Sequence, residues 1–190
     1  NINDALEKTN ICFITVPTPS NVKGDFSNSF IMQVLGDIAE FLEKRNTSEP
    51  YIININSTVM PGTFQNELIP YMEKKGFKHD VDFTFLYNPY FVALGDVLDG
   101  LENPDFVLVG STNNYAKKVI NELYDKIYKK PLVSNLNLDE AEYTKLLVNA
   151  YLTLKISFSN MVKIITKNEK NLSLEKILKV VGSDSRIGSK

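Results

Sequence analysis

The chain has 190 residues, 43% of them apolar and 23% charged, with 21 Lys and Arg against 23 Asp and Glu, one His, one Cys and no Trp. This describes a soluble globular chain long enough to bury a sizeable core, and the charge balance argues against a general nucleic-acid binder, which carries a strong basic excess. One cysteine and one histidine (Cys12 and His79) give no basis for a disulfide framework, a cysteine-based zinc site or histidine-centred triad or metal chemistry. No apolar run reaches the roughly 18 residues of a membrane span, so no membrane partner is expected. A reducing compartment, the cytoplasm, is the expected setting.

The N-terminus, Asn1 to Glu7, has neither Met nor a basic start, and the sequence reads as a chain cut from something longer. Ile11 to Val16 stops at Pro17-Thr18-Pro19, the mark of a central strand buried on both faces, with Cys12 a small hydrophobe inside it. Ser27 is placed to cap a helix that carries Phe30, Ile31, Val34, Leu35, Ile38, Phe41 and Leu42 at spacings of three and four. Tyr51 to Asn56 is a second strand, running into Ser57-Thr58-Val59-Met60-Pro61-Gly62-Thr63 and a helix through Phe64, Leu68, Ile69 and Met72 to about Gly76. Asp82 to Tyr87 is a third strand, stopped by Asn88-Pro89, and Phe106 to Val109 a fourth. A helix bearing Ala116, Val119, Ile120, Leu123 and Ile127 leads to a short strand at Leu132-Val133.

From Asp139 to about Lys167 runs the longest periodic stretch, with Tyr143, Leu147, Ala150, Leu154, Phe158, Met161 and Ile165 on one stripe. At 1.5 Å per residue it spans about 40 Å, the length of a helix that bridges domains or packs on a partner chain. Ser173 would cap a last helix ending at Gly182. The alternation of strands with amphipathic segments predicts an α/β fold with a parallel sheet, then the long helix and a short helical segment. From Asn160 onward seven basic residues face three acidic ones, which is either a solvated helical face or a contact for an anionic ligand or partner subunit.

In open α/β sheets ligands bind beyond the carboxyl ends of the strands. There, Val16-Pro17-Thr18-Pro19 forces an extended exit that leaves carbonyls and a hydroxyl facing a crevice. Ser57 and Thr58, before Pro61-Gly62-Thr63, put hydroxyls and N–H groups at a predicted helix N-terminus, suited to phosphate or ribose, although Ser and Thr cap helices everywhere. On the long helix Glu142, Lys145 and Asn149 share a face. They form either a surface Glu-Lys pair beside a polar residue or a site that binds an oxyanion or water in carbonyl chemistry. No glycine pair stands at G-x-G spacing and no P-loop is present.

Taken in order, Phe13-Ile14-Thr15-Val16-Pro17-Thr18-Pro19, Ser57-Thr58-Val59-Met60-Pro61-Gly62-Thr63, Asn88-Pro89 with Gly95, Asn103-Pro104-Asp105, the run from Ala141 to Leu152, that from Lys155 to Asn160, and Asp184-Ser185-Arg186-Ile187-Gly188 resemble the UDP-glucose/GDP-mannose dehydrogenase family. The resemblance implies the second half of a Rossmann-like NAD domain (residues 1–135), followed by the central long-helix dimerisation region (136–190). It also implies that a glycine fingerprint precedes the chain and that a catalytic cysteine and a nucleotide-sugar-binding domain follow it, so that the 190 residues alone are expected to be inactive.

By the same resemblance the cofactor is NAD, approached by Val16, Pro17, Thr18, Pro19, Ser57 and Thr58. The substrate is a nucleotide sugar whose C6 alcohol becomes a uronate for surface-polysaccharide precursors. Catalytic roles fall to Thr58, Lys145 and Asn149. Phe91, Lys145, Asn149 and Arg186 would contact substrate, Arg186 reaching the neighbouring subunit of a homodimer built on the long helix. The family commonly reads Pro-Glu-Phe-Leu-Arg-Glu-Gly where this chain has Pro89-Tyr90-Phe91-Val92-Ala93-Leu94-Gly95. Both carboxylates are replaced, and Met161 stands where a Glu often follows the Asn. A non-catalytic nucleotide-binding or dimerisation relative is therefore the rival reading. A 6-phosphogluconate or hydroxyisobutyrate type of dehydrogenase shares the helix and its Lys but leaves Arg186-Ile187-Gly188 unexplained.

Overall fold

Residues 2–93, 95–128, 133–169 and 171–188 are described by the computed structural model of the chain. They form two compact units, Asn1–Lys145 and Leu146–Lys190.

In the first unit five strands make one sheet in the order β1 (Ile11–Ile14), β2 (Tyr51–Ile55), β3 (Phe83–Tyr87), β4 (Val107–Gly110), β5 (Val133–Leu136). Strand periodicity divides the core between the two faces of the sheet. Tyr51, Ile53 and Ile55 of β2 and Phe83, Phe85 and Tyr87 of β3 pack with Ile31, Leu35 and Ile38 of α2 (Ser29–Leu42) and Met72 of α3 (Ile69–Lys74). On the opposite face Ile52 and Leu86 meet Ala116, Ile120 and Tyr124 of α5 (Asn114–Ile127). A short α1 (Ile2–Leu6) adds Leu6 to the first cluster. The long helix α6 (Leu138–Ile165) begins in this unit, where Leu138 and Ala141 join the same core.

The expected α/β fold with a predominantly parallel sheet is present, with one antiparallel seam. Strands β1, β2 and β3 pair in parallel, as do β4 and β5, but β3 and β4 are antiparallel and share the single pair Tyr87 and Gly110. A parallel return needs a crossover element packed on the sheet. Among its described residues the segment between β3 and β4 holds only the six-residue α4 (Val97–Glu102), none of whose residues is buried, so the chain turns back instead. The last strand covers Val133–Leu136, and Leu132, placed in it from the sequence, lies outside the described residues.

Between β2 and α3 the backbone makes a π-helical turn over Phe64–Leu68, in which the Ile69 N–H bonds to the Phe64 carbonyl. Pro70 follows directly. Its missing N–H and its ring, crowding the carbonyl four residues back, favour a widened turn here. Ser27 is not the cap of α2: that place belongs to Asn28, and the Ser27 hydroxyl bonds to Ser29.

In the second unit α6 continues to Ile165, and α7 (Leu174–Gly182) is capped by Ser173, whose Oγ accepts from the Lys176 N–H. Leu147, Leu154, Met161 and Ile165 of the expected stripe are all solvent-exposed. No helix among the described residues is long and apolar enough to cross a membrane.

Candidate active site

The carboxyl ends of β1 and β2 are tied together by one hydroxyl. The Val16 N–H donates to Ser57 Oγ (2.9 Å), and Ser57 Oγ donates to the Val16 carbonyl (2.6 Å). One turn farther out, Thr18 Oγ1 donates to the Thr58 carbonyl (2.8 Å). Ser57 therefore closes the seam between the two strand exits and is not offered to a ligand. Pro17 and Pro19 are exposed, Val16, Thr18 and Thr58 half-buried. Among the described residues the Thr58 hydroxyl has no protein hydrogen-bond partner, which leaves it as the open polar group of this turn.

The start of α6 supplies the charges. Glu142 is wholly buried, and its carboxylate accepts from the N–H of Gly62 (2.6 Å) and of Phe64 (3.0 Å). Burial pushes its carboxyl above the ordinary value, against the main-chain N–H groups of Phe64, Gly62 and Thr63 that hold the ionised form. Gly62 has a φ of +85°, and a Cβ there would stand 2.7 Å from Asn66 Nδ2, so glycine is required for this turn. Phe64 then seats the turn against the core, edge-on to Phe85 (5.3 Å) and Tyr87 (5.4 Å).

One turn along α6, Lys145 is 6% exposed. Its Nζ donates to the Tyr90 carbonyl (2.6 Å) and lies 4.3 Å from the centre of the Phe91 ring. Burial lowers its pKa. The surface Glu-Lys pair that the spacing allows is thus absent: both side chains are buried, and they reach different loops. The N–H groups at the Gly62–Phe64 turn, read from sequence as a phosphate cradle, are already occupied by Glu142.

A buried amide chain fixes the third loop. Asn56 Nδ2 donates to the Asn88 carbonyl, Asn88 Nδ2 to the Leu108 carbonyl (2.7 Å), and the Tyr124 hydroxyl to Asn88 Oδ1. Tyr90, Tyr124 and Tyr128 line one small cavity beside this chain, and burial raises the hydroxyl pKa of all three.

The profile of the UDP-glucose/GDP-mannose dehydrogenase family, NAD binding domain, matches residues 1–128, and that of the family's central domain matches residues 139–190. The chain belongs to the UDP-glucose/GDP-mannose dehydrogenase family. It is 30% identical to the UDP-glucose 6-dehydrogenase of Rickettsia bellii, over 98% of this chain and 41% of that protein. It is 29% identical to the GDP-mannose 6-dehydrogenase of Pseudomonas putida, over 86% of this chain and 37% of that protein. Among solved structures, a ternary complex of GDP-mannose dehydrogenase from Pseudomonas aeruginosa superposes with a TM-score of 0.85 at 26% identity, covering 95% of this chain and 41% of that one. The chain thus spans about two fifths of the length of these relatives.

The family's cofactor is NAD, and the residues present fit one part of it. One open hydroxyl on neutral main chain, with the nearby helix-start N–H groups engaged, suits ribose hydroxyls better than a phosphate. Of the residues singled out from sequence, the first unit brings Val16, Thr18, Ser57 and Thr58 together at one strand end, and Phe91 with Lys145 at another. Asn149 and Arg186 belong to the second unit, where both are exposed; Arg186 makes a two-pronged contact with Asp184 (3.0 and 2.7 Å). Leu94 lies outside the described residues. Sequence reasoning missed Asn56 and Asn88 as site supports. The available signal was an Asn directly after each of two largely apolar strands, where an amide has to find partners.

Proposed function

We propose that this chain forms the cofactor-side part of an NAD-dependent nucleotide-sugar dehydrogenase that oxidises a sugar C6 alcohol to a uronate for surface-polysaccharide precursors. The observation that carries the reading is the buried Lys145, pinned by the Tyr90 carbonyl and the Phe91 ring on the helix whose preceding turn grips the Thr58–Phe64 segment. The Rickettsia and Pseudomonas relatives, a UDP-glucose and a GDP-mannose 6-dehydrogenase, support it.

Bound NAD would supply the hydride acceptor for each of the two oxidations, and water the second oxygen of the uronate. Thr58 offers its hydroxyl near the reacting centre, on the ribose side of the cofactor, and Val16, Pro17, Thr18 and Pro19 wall that side. The Lys145 ammonium, desolvated and held near the reacting carbon, offsets negative charge on the substrate oxygen. Phe91 contacts the sugar; of the second unit's residues, Asn149 is assigned to substrate and catalysis, and Arg186 to substrate on a second subunit. The exposed stripe from Leu147 to Ile165 is the surface for that homodimer.

A second reading is favoured by Tyr90. It stands where the family commonly has Glu, and its hydroxyl, raised above the ordinary tyrosine value by burial, is neutral at physiological pH and no base. A relative that binds nucleotide without turnover fits that residue. The deciding experiment screens the whole protein against a panel of nucleotide sugars, following NADH absorbance, with Lys145→Ala beside the wild type. Turnover by the wild type and its loss in the variant support the dehydrogenase; no turnover on any sugar favours the non-catalytic reading, and unchanged turnover in Lys145→Ala overturns the role given to the lysine.

A further inference from the structure

A carboxylate buried without a cationic partner is costly, and proteins keep one where its hydrogen bonds hold something in place. Glu142 has no Lys or Arg partner among the described residues. Its two oxygens are spent on the Gly62 and Phe64 N–H groups, eighty and seventy-eight residues away in sequence. Those N–H groups end the turn that starts at Thr58. Within it the Thr63 N–H bonds back to the Met60 carbonyl (3.2 Å) and the Asn66 N–H to the Gly62 carbonyl (2.9 Å), so the segment is stiff from Met60 to Asn66. At its other end the Thr58 carbonyl is held by Thr18. Its Glu142-bound end is also wedged by the left-handed Gly62 and the buried Phe64 ring.

We infer that Glu142 is a positioning residue for Thr58. The protein's own carboxylate fills the anion place at this helix start and fixes the Thr58 turn relative to Lys145, three residues along the same helix, so that one rigid stretch of α6 sets the two sides of the reaction centre. In consequence the Gly62–Phe64 N–H groups take no part in holding a cofactor phosphate. The inference rests on the site assignment under Proposed function, and its test has one arm that does not depend on turnover.

In the first arm, amide resonances of the 190-residue chain are compared between wild type and Glu142→Gln. The glutamine keeps the shape but presents an NH2 group to one of the two N–H donors. The Gly62, Phe64 and Thr58 amides are expected to shift, while Phe91, on the Lys145 side, stays in place. An unmoved Thr58 amide overturns the inference. Should Glu142→Gln fail to fold, Glu142→Asp serves in its place: with the charge kept and one methylene lost, it is expected to hold only one of the two N–H groups, and a spectrum identical to wild type overturns the inference.

In the second arm, the whole protein carrying Glu142→Gln is expected to lose about tenfold or more in kcat while KM for the nucleotide sugar stays within about twofold, the pattern of a misplaced reacting group and not of lost ground-state binding. An equal rise in KM with kcat unchanged overturns it. If the wild type reduces no NAD, the dehydrogenase reading falls, and the Thr58 amide alone decides whether Glu142 positions this turn.

Discussion

Ser57 Oγ both accepts from the Val16 N–H and donates to the Val16 carbonyl, so one side chain satisfies two main-chain groups of the neighbouring strand exit. Parallel strands end with unpaired groups at their carboxyl edge. Here the closing rung of the ladder is supplied by a hydroxyl.

Ser57→Ala removes both bonds at once. With Val16 half-buried, its N–H and C=O are left to find water in a narrow seam. The expected loss is about 1–3 kcal/mol of unfolding free energy. Urea denaturation of the 190-residue chain measures it, and a midpoint equal to that of the wild type would show the seam to be solvated instead.

Gly110 ends β4 against the first turn of α6. A Cβ built there would lie 2.5 Å from the Ala141 Cβ and 3.2 Å from the Asn137 carbonyl. Since neither neighbour is a flexible side chain, Gly110→Ala is expected to cost about 1–3 kcal/mol through overpacking. The cost should appear in thermal unfolding, with a matching perturbation of the Glu142-bound amides of Gly62 and Phe64. A neutral substitution would mean that the start of α6 can slide.

His79 gives the fold a pH dependence. Its Nε2 is buried with no partner among the described residues, and the ring packs 5.4 Å from Phe83 and 6.0 Å from Phe85. Burial lowers the imidazole pKa, outweighing Asp80 and Glu73. The unfolded chain takes up the proton near its ordinary value of about 6.5 while the folded chain resists it. This stability contribution is therefore present above that value and lost as pH falls towards the lower, folded one. Melting temperature is expected to fall as pH drops from about 7.5 to 5.5, and His79→Phe should flatten the part of the slope near pH 6.5. Identical slopes in the two proteins would assign the decline to carboxylates.

Tyr124→Phe deletes the hydroxyl that caps Asn88 Oδ1. The amide still has Nδ2 bound to the Leu108 carbonyl, so the expected cost is about 1–2 kcal/mol. A double-mutant cycle with Asn56→Ala should show coupling, because both side chains hold the same asparagine.

The strands that carry apolar runs and the helices with three-and-four spacing could be read in the chain because burial and periodicity are local properties. Strand β2 and helix α2 are cases in point. Helix α4 and the reversal of β4 could not be read this way: Val97–Glu102 buries nothing, so no stripe marks it, and strand direction depends on what the intervening segment fails to cover. At the site, Glu142 and Lys145 were visible as a spaced pair, but spacing says only that two side chains share a face. That one reaches Gly62 and the other Tyr90 is decided by loops more than fifty residues away. Asn88 was seen as a strand stop, while its role as the hub between Asn56 and Tyr124 exists only once three elements converge.

The seam between β3 and β4, with its single antiparallel pair, bears on how the first unit opens. Across most of a sheet the main-chain ladder must break for strands to part, but here the join relies on side chains: Ser111 Oγ on the Phe85 carbonyl and Asn88 Nδ2 on the Leu108 carbonyl. Cooperative unfolding units follow ladders and shared cores. The β4–β5 pair, which shares a core but almost no ladder with β3, should then exchange hydrogen for deuterium sooner than β2, which is laddered on both edges. A thermal or chemical insult would loosen the tyrosine-lined side of the sheet before it reached the strands that carry the Val16 and Ser57 exits.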